Sequence, residues 1–527
     1  MERTRLLITL AAITVTGCSG GGGSPVSNPR TPAPSSSPAS TPTPSATATP
    51  TLSAQVSADA LAVGNSINRD QFGANMSVGF DITNPTGQAT SLSSVGVGLI
   101  RIPGGSPADD YHWQTNTWSA SPCVSYGPPS PNNTFDGFEG TLLGPGGFDT
   151  AITVNYGSNP SCSGPADPTE AAAWVAYALT KEYPVKYWTI GNEVYGSYET
   201  DLHNPGSHDP SAYASNVASQ FYPLMKAQNP AAQIGVVLAG TYNPTWDTTV
   251  LAAAKYDFVE IHFYPENSGS ENDTTLLQNG PTLAGADFSL VQSELKAAGR
   301  STTPILLGEF NSPNSNPGKQ TLSIVNALFI GMMEGEILKY GIQATTIEDG
   351  YFGECNGSGD VASTIYGWQN FGTYSLFSGG FPNASCPGAE TIPAGTPLPI
   401  ARALALASQF AQPGNHMLAT TVAASLSTVR AYSAQKGSGY SFMLFNLDPN
   451  NPVTFTLGLS NTAQSSFSAT VTTYGKAQYD LSESGVWAGP VSTSLGSITN
   501  PASITLPQWS MSVVELSSAG GATARHR

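Results

Sequence analysis

Hydrophobic positions along the chain follow two patterns, which divide it into a part with helices and a part made of strands. Up to about residue 410, short β-rich apolar segments alternate with Ala-rich segments of helical spacing. This alternation is typical of repeated βα units around a parallel sheet. The predicted strands are residues 72–78, 95–102, 151–156, 186–190, 233–238, 258–264, 304–310 and 344–347, and the clearest predicted helices are residues 170–179, 211–228, 289–298 and 321–338.

Eight βα units within residues 73–410 predict an α/β fold of the (β/α)8, or TIM, barrel class. In such barrels the reacting groups lie where the strands end, at the C-terminal face. A doubly wound open sheet is the structural alternative.

Beyond residue 410 the helical spacing ends, and alternating apolar and polar positions follow between Gly, Pro and Asn turns. We therefore predict an antiparallel β-sandwich over residues 411–520, followed by a tail at 521–527. Residues 54–72 precede the barrel and are expected to add a strand to this sandwich. The predicted sandwich strands are residues 421–432, 441–447, 454–459, 469–474 and 510–516.

The N-terminus has the features of an export signal. Arg3 and Arg5 precede an apolar run at residues 6–15, and the VTGC sequence that ends at Cys18 resembles a bacterial lipobox. Residues 1–18 are thus interpreted as a lipoprotein signal, with Cys18 as the lipidated residue. An ordinary secretory signal is the alternative. A transmembrane helix is less favoured, because a bilayer span needs about 20 apolar residues.

Residues 19–53 contain Gly, Ser, Pro and Thr with few large apolar side chains. Such a segment buries too little surface to offset its ordering entropy, so we interpret it as a flexible tether. Together with the signal, it predicts an exported, membrane-anchored lipoprotein at the cell surface or in the periplasm, bound to the membrane through lipid alone.

Four further cysteines, Cys123, Cys162, Cys355 and Cys386, form an even set in an oxidising compartment. Proximity favours pairing Cys123 with Cys162 and Cys355 with Cys386, although the sequence permits three connectivities. Their spacing does not indicate a zinc site.

Charge excludes some partners. The chain has 36 acidic and 19 basic residues and a net charge of -17, which makes nucleic acid a poor partner. It also lacks a phosphate-binding loop, a metal-ligand triad and a Gly-x-Ser-x-Gly elbow.

Two glutamates end apolar strands. Glu193 follows Gly191 and Asn192 after the fourth predicted strand, and Glu309 follows Gly308 in the seventh. A retaining glycosidase needs two carboxyl groups about 5–5.5 Å apart, and a closed barrel brings distant strand ends together around one site. Either glutamate alone is more simply a solvated loop carboxylate, but the pair favours catalysis.

The sixth predicted strand ends in His262 and Tyr264, whose side chains lie on the same side because side chains alternate along a strand. A tyrosine there is placed to hold the carboxylate of Glu309. The alternative is that both residues only pack in the barrel, and Glu260 is interpreted as structural or as a sugar contact.

Ordered motifs resemble clan A glycosidases, most closely the α-L-arabinofuranosidases of glycoside hydrolase family 51. They are RIPGG at 101–105, YHW at 111–113, VNYG at 154–157, EAAAWV at 170–175, GNEVYG at 191–196, HFY at 262–264 and EFN at 309–311. The resemblance implies a barrel with a C-terminal sandwich, Glu193 as acid/base, Glu309 as nucleophile, and no metal or other cofactor. The substrate-binding residues it implies are Asn192, Tyr264, His262, Arg101, Trp113 and Asn75.

The chain departs from that family at two positions. A sugar-binding glutamate is replaced around Asn75 and Met76, and an asparagine after Pro-Gly-Gly is replaced by Ser106. Both changes affect contacts that would select the sugar.

The expected substrate is a carbohydrate, foremost an α-L-arabinofuranosyl group on a polysaccharide or oligosaccharide. Other clan A activities are alternatives: β-glucuronidase or heparanase-like hydrolase, β-xylosidase and β-glucanase. A uronate substrate would need a cation, for which the candidates are Arg101, Lys181, Lys186 and Lys319. A non-catalytic carbohydrate-binding surface lipoprotein is the remaining alternative.

Overall fold

The computed structural model describes residues 52–79, 85–124, 127–347, 355–357, 362–380, 386–423 and 426–518. The export signal with Cys18, all but the last two residues of the predicted tether, and the 521–527 tail lie outside this range. Within it, no helix has both the length and the apolar character needed to cross a bilayer.

Eight parallel strands close into a barrel, which confirms the predicted fold class. Each strand pairs with its neighbours in chain order, and the eighth closes on the first. Their side chains are largely buried, because helices cover the outside of a parallel barrel. The barrel strands are Gly73–Asn75, Leu99–Ile102, Asp149–Val154, Val185–Ile190, Gln233–Val237, Phe258–Phe263, Ile305–Phe310 and Ala344–Ile347.

Helices follow the barrel strands, and several begin at an Asp-Pro or Asn-Pro pair. Asp167, Asp209 and Asn243 each accept a backbone hydrogen bond at a helix start, with proline at the next position. A π-helical turn, Val217–Phe221, joins the helix Pro210–Asn216 to the helix Tyr222–Gln228. The longer helices are Pro85–Ser94, Pro168–Lys181, Pro210–Asn216, Tyr222–Gln228, Pro244–Ala253, Asp273–Ala297, Ile324–Tyr340 and Pro399–Phe410.

The helix predicted at 289–298 begins much earlier, at Asp273, and contains Pro281. Gly280, Pro281 and Gly285 interrupt the pattern in the sequence, but they serve close packing. A Cβ atom at Gly280 would lie 2.8 Å from the Phe329 ring, so the neighbouring helix approaches there.

The C-terminal part is a nine-stranded, mostly antiparallel sheet whose two halves enclose one apolar core, as expected for a sandwich. The N-terminal strand Leu52–Ser66 lies inside this sheet, antiparallel to His416–Ala423 and parallel to Val453–Ser460. In sheet order the strands are Val491–Thr499, Ser466–Gly475, Ser510–Ser518, Gly439–Asn446, Val429–Lys436, His416–Ala423, Leu52–Ser66, Val453–Ser460 and Ala502–Leu506.

The prediction of one strand at 421–432 is wrong. The chain forms two strands, His416–Ala423 and Val429–Lys436, which pair antiparallel. A turn at Ser427 and Thr428 precedes the second strand, and Ser and Thr are also common in strands, so the pattern did not mark it.

Barrel and sandwich pack through the helix Ile324–Tyr340, which explains why this helix is mostly apolar and is buried on all sides up to Leu338. Two glycines allow the close approach. A Cβ atom at Gly331 would lie 2.6 Å from the sulfur of Met511, and one at Gly335 would lie 2.3 Å from the Tyr432 ring.

Candidate active site

The two strand-end glutamates lie together at the C-terminal face of the barrel. Oxygens of Glu193 and Glu309 and a ring nitrogen of His262 all lie within 4.8 Å of one another. Glu193 follows the fourth strand through Gly191, and its own φ is 42°. This left-handed conformation is uncommon for a residue with a side chain, and such positions cluster at functional sites.

Glu309 is held by two donors. Arg101 Nη1 lies 3.0 Å from its Oε1, and the Tyr264 hydroxyl donates to its Oε2 at 3.0 Å. The residue is 6% exposed, and a Cβ atom at Gly105 would lie 3.0 Å from its Oε1. Two hydrogen bonds in a nearly closed pocket fix the direction in which this carboxylate points.

Arg101 lies beneath the carboxylates and is 1% exposed. Its Nη1 donates to Asn75 Oδ1 at 2.9 Å, and its Nη2 donates to Asn192 Oδ1 at 2.8 Å and lies 3.0 Å from Glu260 Oε1. It is absent from the described residues that line the cavity. The structure therefore places Arg101 under the site, where its hydrogen bonds and ion pairs hold the residues around it.

His262 lies among three carboxylates. Its Nδ1 is 2.8 Å from Glu193 Oε1 and 3.4 Å from Glu309 Oε2, and its Nε2 is 3.2 Å from Glu260 Oε1. Burial favours the neutral ring, but the charge of Glu309 and the bonds to Glu193 and Glu260 outweigh it and raise the pKa of His262 to about 10. The ligand atoms of Glu193, His262 and Glu309 also have the spacing of a possible metal site.

Glu193 is hydrogen-bonded on both oxygens. His262 contacts Oε1, and the Tyr198 hydroxyl donates to Oε2 at 2.8 Å. Burial alone would raise the pKa of Glu193, but the hydrogen bond and charge of His262, with help from Tyr198 and Tyr195, lower it overall. The two pKa shifts therefore favour His262 over Glu193 as the holder of a proton between them.

Ser106, at the position where family 51 has an asparagine, hydrogen-bonds to Glu199, a further buried glutamate beside the site. Ser106 Oγ and Asn192 Nδ2 both donate to Glu199 Oε1, at 2.8 and 3.0 Å. Burial, followed by the charge of Glu193, raises the pKa of Glu199 to about 8. Asn75, near the position of the missing glutamate, donates to the Gly308 carbonyl at 2.9 Å.

Trp113 does not reach the site. Its ring stacks on Trp174 with centroids 5.5 Å apart, its Nε1 donates to the Glu170 carbonyl, and it is 8% exposed. The YHW motif directs this ring toward the helix Pro168–Lys181, where it joins an aromatic cluster. The structure thus places Trp113 in this cluster and not among the described residues that line the cavity.

The site opens into a cavity of about 870 Å³. Besides the predicted residues, the tyrosines Tyr195, Tyr198 and Tyr242 line it. Sequence reasoning missed all three, although Tyr195 and Tyr198 follow Glu193 by two and five positions, on a loop that had to lie at the rim.

The structure contains both favoured disulfides, Cys123–Cys162 and Cys355–Cys386. The first joins the loops that follow the second and third barrel strands, on the same face as the site. Such bonds are typical of extracellular or periplasmic proteins.

No protein family model matches the chain. Two curated relatives do: an intracellular exo-α-(1→5)-L-arabinofuranosidase of Bifidobacterium longum, 24% identical over 201 residues, and α-L-arabinofuranosidase C of Emericella nidulans, 27% identical over 192 residues. Each match covers 33% of this chain, and 33% and 35% of the relatives respectively, so the matches span about a third of those proteins.

Solved structures match over nearly the whole chain. An α-L-arabinofuranosidase from Thermotoga maritima has a TM-score of 0.66 at 15% identity, covering 88% of this chain and 99% of that one. A family 44 xyloglucanase from Paenibacillus polymyxa has a TM-score of 0.61 at 10% identity, covering 89% and 100%. These likenesses establish the fold, and with the curated relatives they confirm the resemblance to family 51 of clan A.

Proposed function

We propose that the chain is a retaining glycoside hydrolase in which Glu309 is the nucleophile and Glu193 the acid/base. The approach of the two carboxylates, with oxygens within 4.8 Å, carries this proposal. Retaining enzymes hold these groups about 5–5.5 Å apart, whereas inverting enzymes leave about 6.5–9.5 Å for a water molecule.

In the first step, Glu309 attacks the anomeric carbon, the bond to the leaving oxygen breaks, and Glu193 delivers a proton to that oxygen. In the second step, Glu193 takes a proton from water, whose oxygen replaces Glu309 on the sugar. The configuration is retained, and neither a metal nor an organic cofactor takes part. Tyr264 and Arg101 hold the Glu309 carboxylate in position toward the anomeric carbon during both steps.

His262, whose pKa is raised to about 10, lies 2.8 Å from Glu193 and can supply the proton for the first step. Transfer of this proton leaves a neutral Glu193 beside a neutral imidazole, so that Glu193 can protonate the leaving oxygen. When Glu309 is consumed as an ester its negative charge disappears, which lowers the pKa of its neighbours and prepares Glu193 to act as a base.

Asn192 lines the cavity beside Glu193, and its amide is fixed from below by Arg101 and Glu199. We assign it to the sugar hydroxyl next to the anomeric carbon, where contacts strengthen in the transition state. A preoriented amide loses little entropy when it makes that contact.

The substrate we favour carries a terminal α-L-arabinofuranosyl group, and the reaction is that of an α-L-arabinofuranosidase. The ordered motifs and the two curated relatives support this choice. Among the described residues that line the cavity there is no lysine or arginine, so a uronate substrate has less support. A β-glucanase is the second candidate, because the fold of the family 44 xyloglucanase superposes nearly as well.

Hydrolysis of a panel of aryl glycosides tests the proposal: α-L-arabinofuranoside, β-D-xyloside, β-D-glucoside, β-D-glucuronide and β-D-galactofuranoside, with a β-glucan beside them. We expect the arabinofuranoside among the two best by kcat/KM, and NMR should detect the retained anomer first. An inverted first product would refute the mechanism. Binding without turnover of any member would identify a non-catalytic lectin.

A further inference from the structure

Two exposed tyrosines stand at the mouth of the cavity. Tyr198 is 62% exposed and Tyr242 is 71% exposed, and both line the cavity. Tyr198 comes from the loop after the fourth barrel strand, and Tyr242 from the turn after the fifth, so both lie on the side of Glu193. Leaving a large aromatic ring in water is unfavourable. Two such rings grouped at one opening therefore indicate a surface that binds a ligand.

The turn that carries Tyr242 is held rigidly by two buried carboxylates. Asp247 accepts the backbone N–H groups of Ala239 and Gly240 at 2.6 and 2.9 Å, and Asp287 accepts that of Thr241 at 2.6 Å. Asp247 is 0% exposed and Asp287 is 2% exposed. These bonds fix the backbone of the turn, so the position from which the Tyr242 side chain projects is preorganised.

Tyr242 is also supported from the protein side. The Tyr195 ring lies 5.8 Å from it and 6.0 Å from the buried ring of Trp246. Tyr198 is positioned similarly: its ring lies over Gly196, where a Cβ atom would come within 2.4 Å of it. Both rings are thus supported by the protein on one side and exposed to solvent on the other.

The departing oxygen of a glycosidase substrate lies next to the acid/base, so whatever that oxygen carries extends toward Tyr198 and Tyr242. A sugar ring has an apolar face of C–H groups that packs on an aromatic ring. We infer that Tyr242, with Tyr198 beside it, forms the subsite for the leaving-group sugar, so that the natural bond joins two sugars. This inference rests on the proposed glycosidase function and deepens it.

A pair of substrates separates this subsite from the chemistry. One is a disaccharide whose non-reducing sugar is the best one in the glycoside panel, such as α-1,5-linked arabinobiose. The other is the methyl glycoside of the same sugar, whose leaving group is a similarly poor one but has no ring. The variants are Tyr242→Ala and Tyr242→Phe, with Leu283→Ala as the control. Leu283 is also exposed, at 50%, but is not among the described cavity residues.

We expect Tyr242→Ala to lower kcat/KM for the disaccharide about tenfold, the equivalent of roughly 1.4 kcal/mol of lost contact, and to leave the methyl glycoside unchanged. Tyr242→Phe should stay within about twofold of the wild type because the ring remains. Leu283→Ala should alter neither substrate.

Equal losses on both substrates, or none on either, would overturn the subsite while leaving the glycosidase function intact. A loss in Tyr242→Phe as large as in Tyr242→Ala would also overturn it, since the hydroxyl would then be the contact. If the wild-type protein cleaves neither substrate nor any panel member, the proposed function itself fails.

Discussion

Nδ1 of His262 lies 2.8 Å from Oε1 of Glu193, and this contact makes the charge of the site depend on pH. The surrounding carboxylates raise the pKa of His262 from 6.5 to about 10. Below pH 6.5 the ring is protonated in both folded and unfolded chains, so its full contribution to stability is present. As the pH rises toward 10 the folded protein keeps a proton that the unfolded chain has lost, and the contribution declines.

We therefore expect the wild type to exceed His262→Gln in free energy of unfolding most clearly near pH 6, with the difference shrinking by pH 10. Denaturant unfolding of both proteins across this range measures it, and taking the difference cancels the titration of unrelated groups. A difference that is constant with pH would mean that His262 is neutral in the folded protein.

Tyr198→Phe should move the alkaline limb of the kcat/KM profile to higher pH. The hydroxyl stabilises the ionised form of Glu193, so its removal raises the affinity of the Glu193–His262 pair for the proton that they share, and the pair keeps this proton to a higher pH. One such hydrogen bond is worth about 0.5–1.5 kcal/mol, which corresponds to a shift of at most about one pH unit.

Tyr183→Phe is the matched control for that shift. Tyr183 also donates to a carboxylate, Asp136, at 2.7 Å, but neither residue is among the described cavity residues. Its pH profile should equal that of the wild type. If the alkaline limb of the kcat/KM profile moved to lower pH in Tyr198→Phe, the hydroxyl would be stabilising the protonated form of Glu193.

The sequence predicted the strands and the two glutamates because both leave local signals. An apolar run that stops at Gly-Asn-Glu marks a strand end, and barrel closure then brings Glu193 to Glu309. The motif around Trp113 fixes its place in the chain but not the direction of its ring, which in the structure stacks on Trp174. Glu199 left no signal, since its contact with Ser106 depends on how two loops meet, and the exposure of Tyr242 depends on a turn anchored by distant carboxylates.

Removing the disulfide that joins the two rim loops should destabilise the fold. Cys123 and Cys162 are 39 positions apart, and closing a loop of that size contributes roughly 3–4 kcal/mol in the chain-entropy model. The double variant Cys123→Ser with Cys162→Ser should lose stability of that order in denaturant unfolding. Peptide mapping of the unreduced protein should recover the Cys123–Cys162 pair, and four free thiols would refute the bond.

Cys18 is proposed as the lipidated residue, outside the described part of the chain. Cys18→Ser should release the protein from the membrane fraction or leave its signal uncleaved, because the lipid would be the sole attachment. Fractionation with mass spectrometry of the N-terminal peptide measures this. Unchanged membrane association of Cys18→Ser would show that another feature holds the protein there.

The two glutamates that we propose as catalytic should differ in how azide restores activity after each is replaced. Glu309→Ala removes the nucleophile, so turnover should fall below detection, and azide should restore it as a glycosyl azide of inverted configuration. Glu193→Ala leaves the nucleophile in place, so the loss should be smallest for an activated aryl glycoside and about 10²–10⁴-fold for poor leaving groups. Azide should rescue this variant as well, but with retained configuration, because it then attacks the glycosyl-enzyme formed on Glu309. Glu483→Ala, an exposed glutamate that is not among the described cavity residues, should behave as the wild type. Azide products with the two configurations exchanged would reverse the assignment of Glu193 and Glu309.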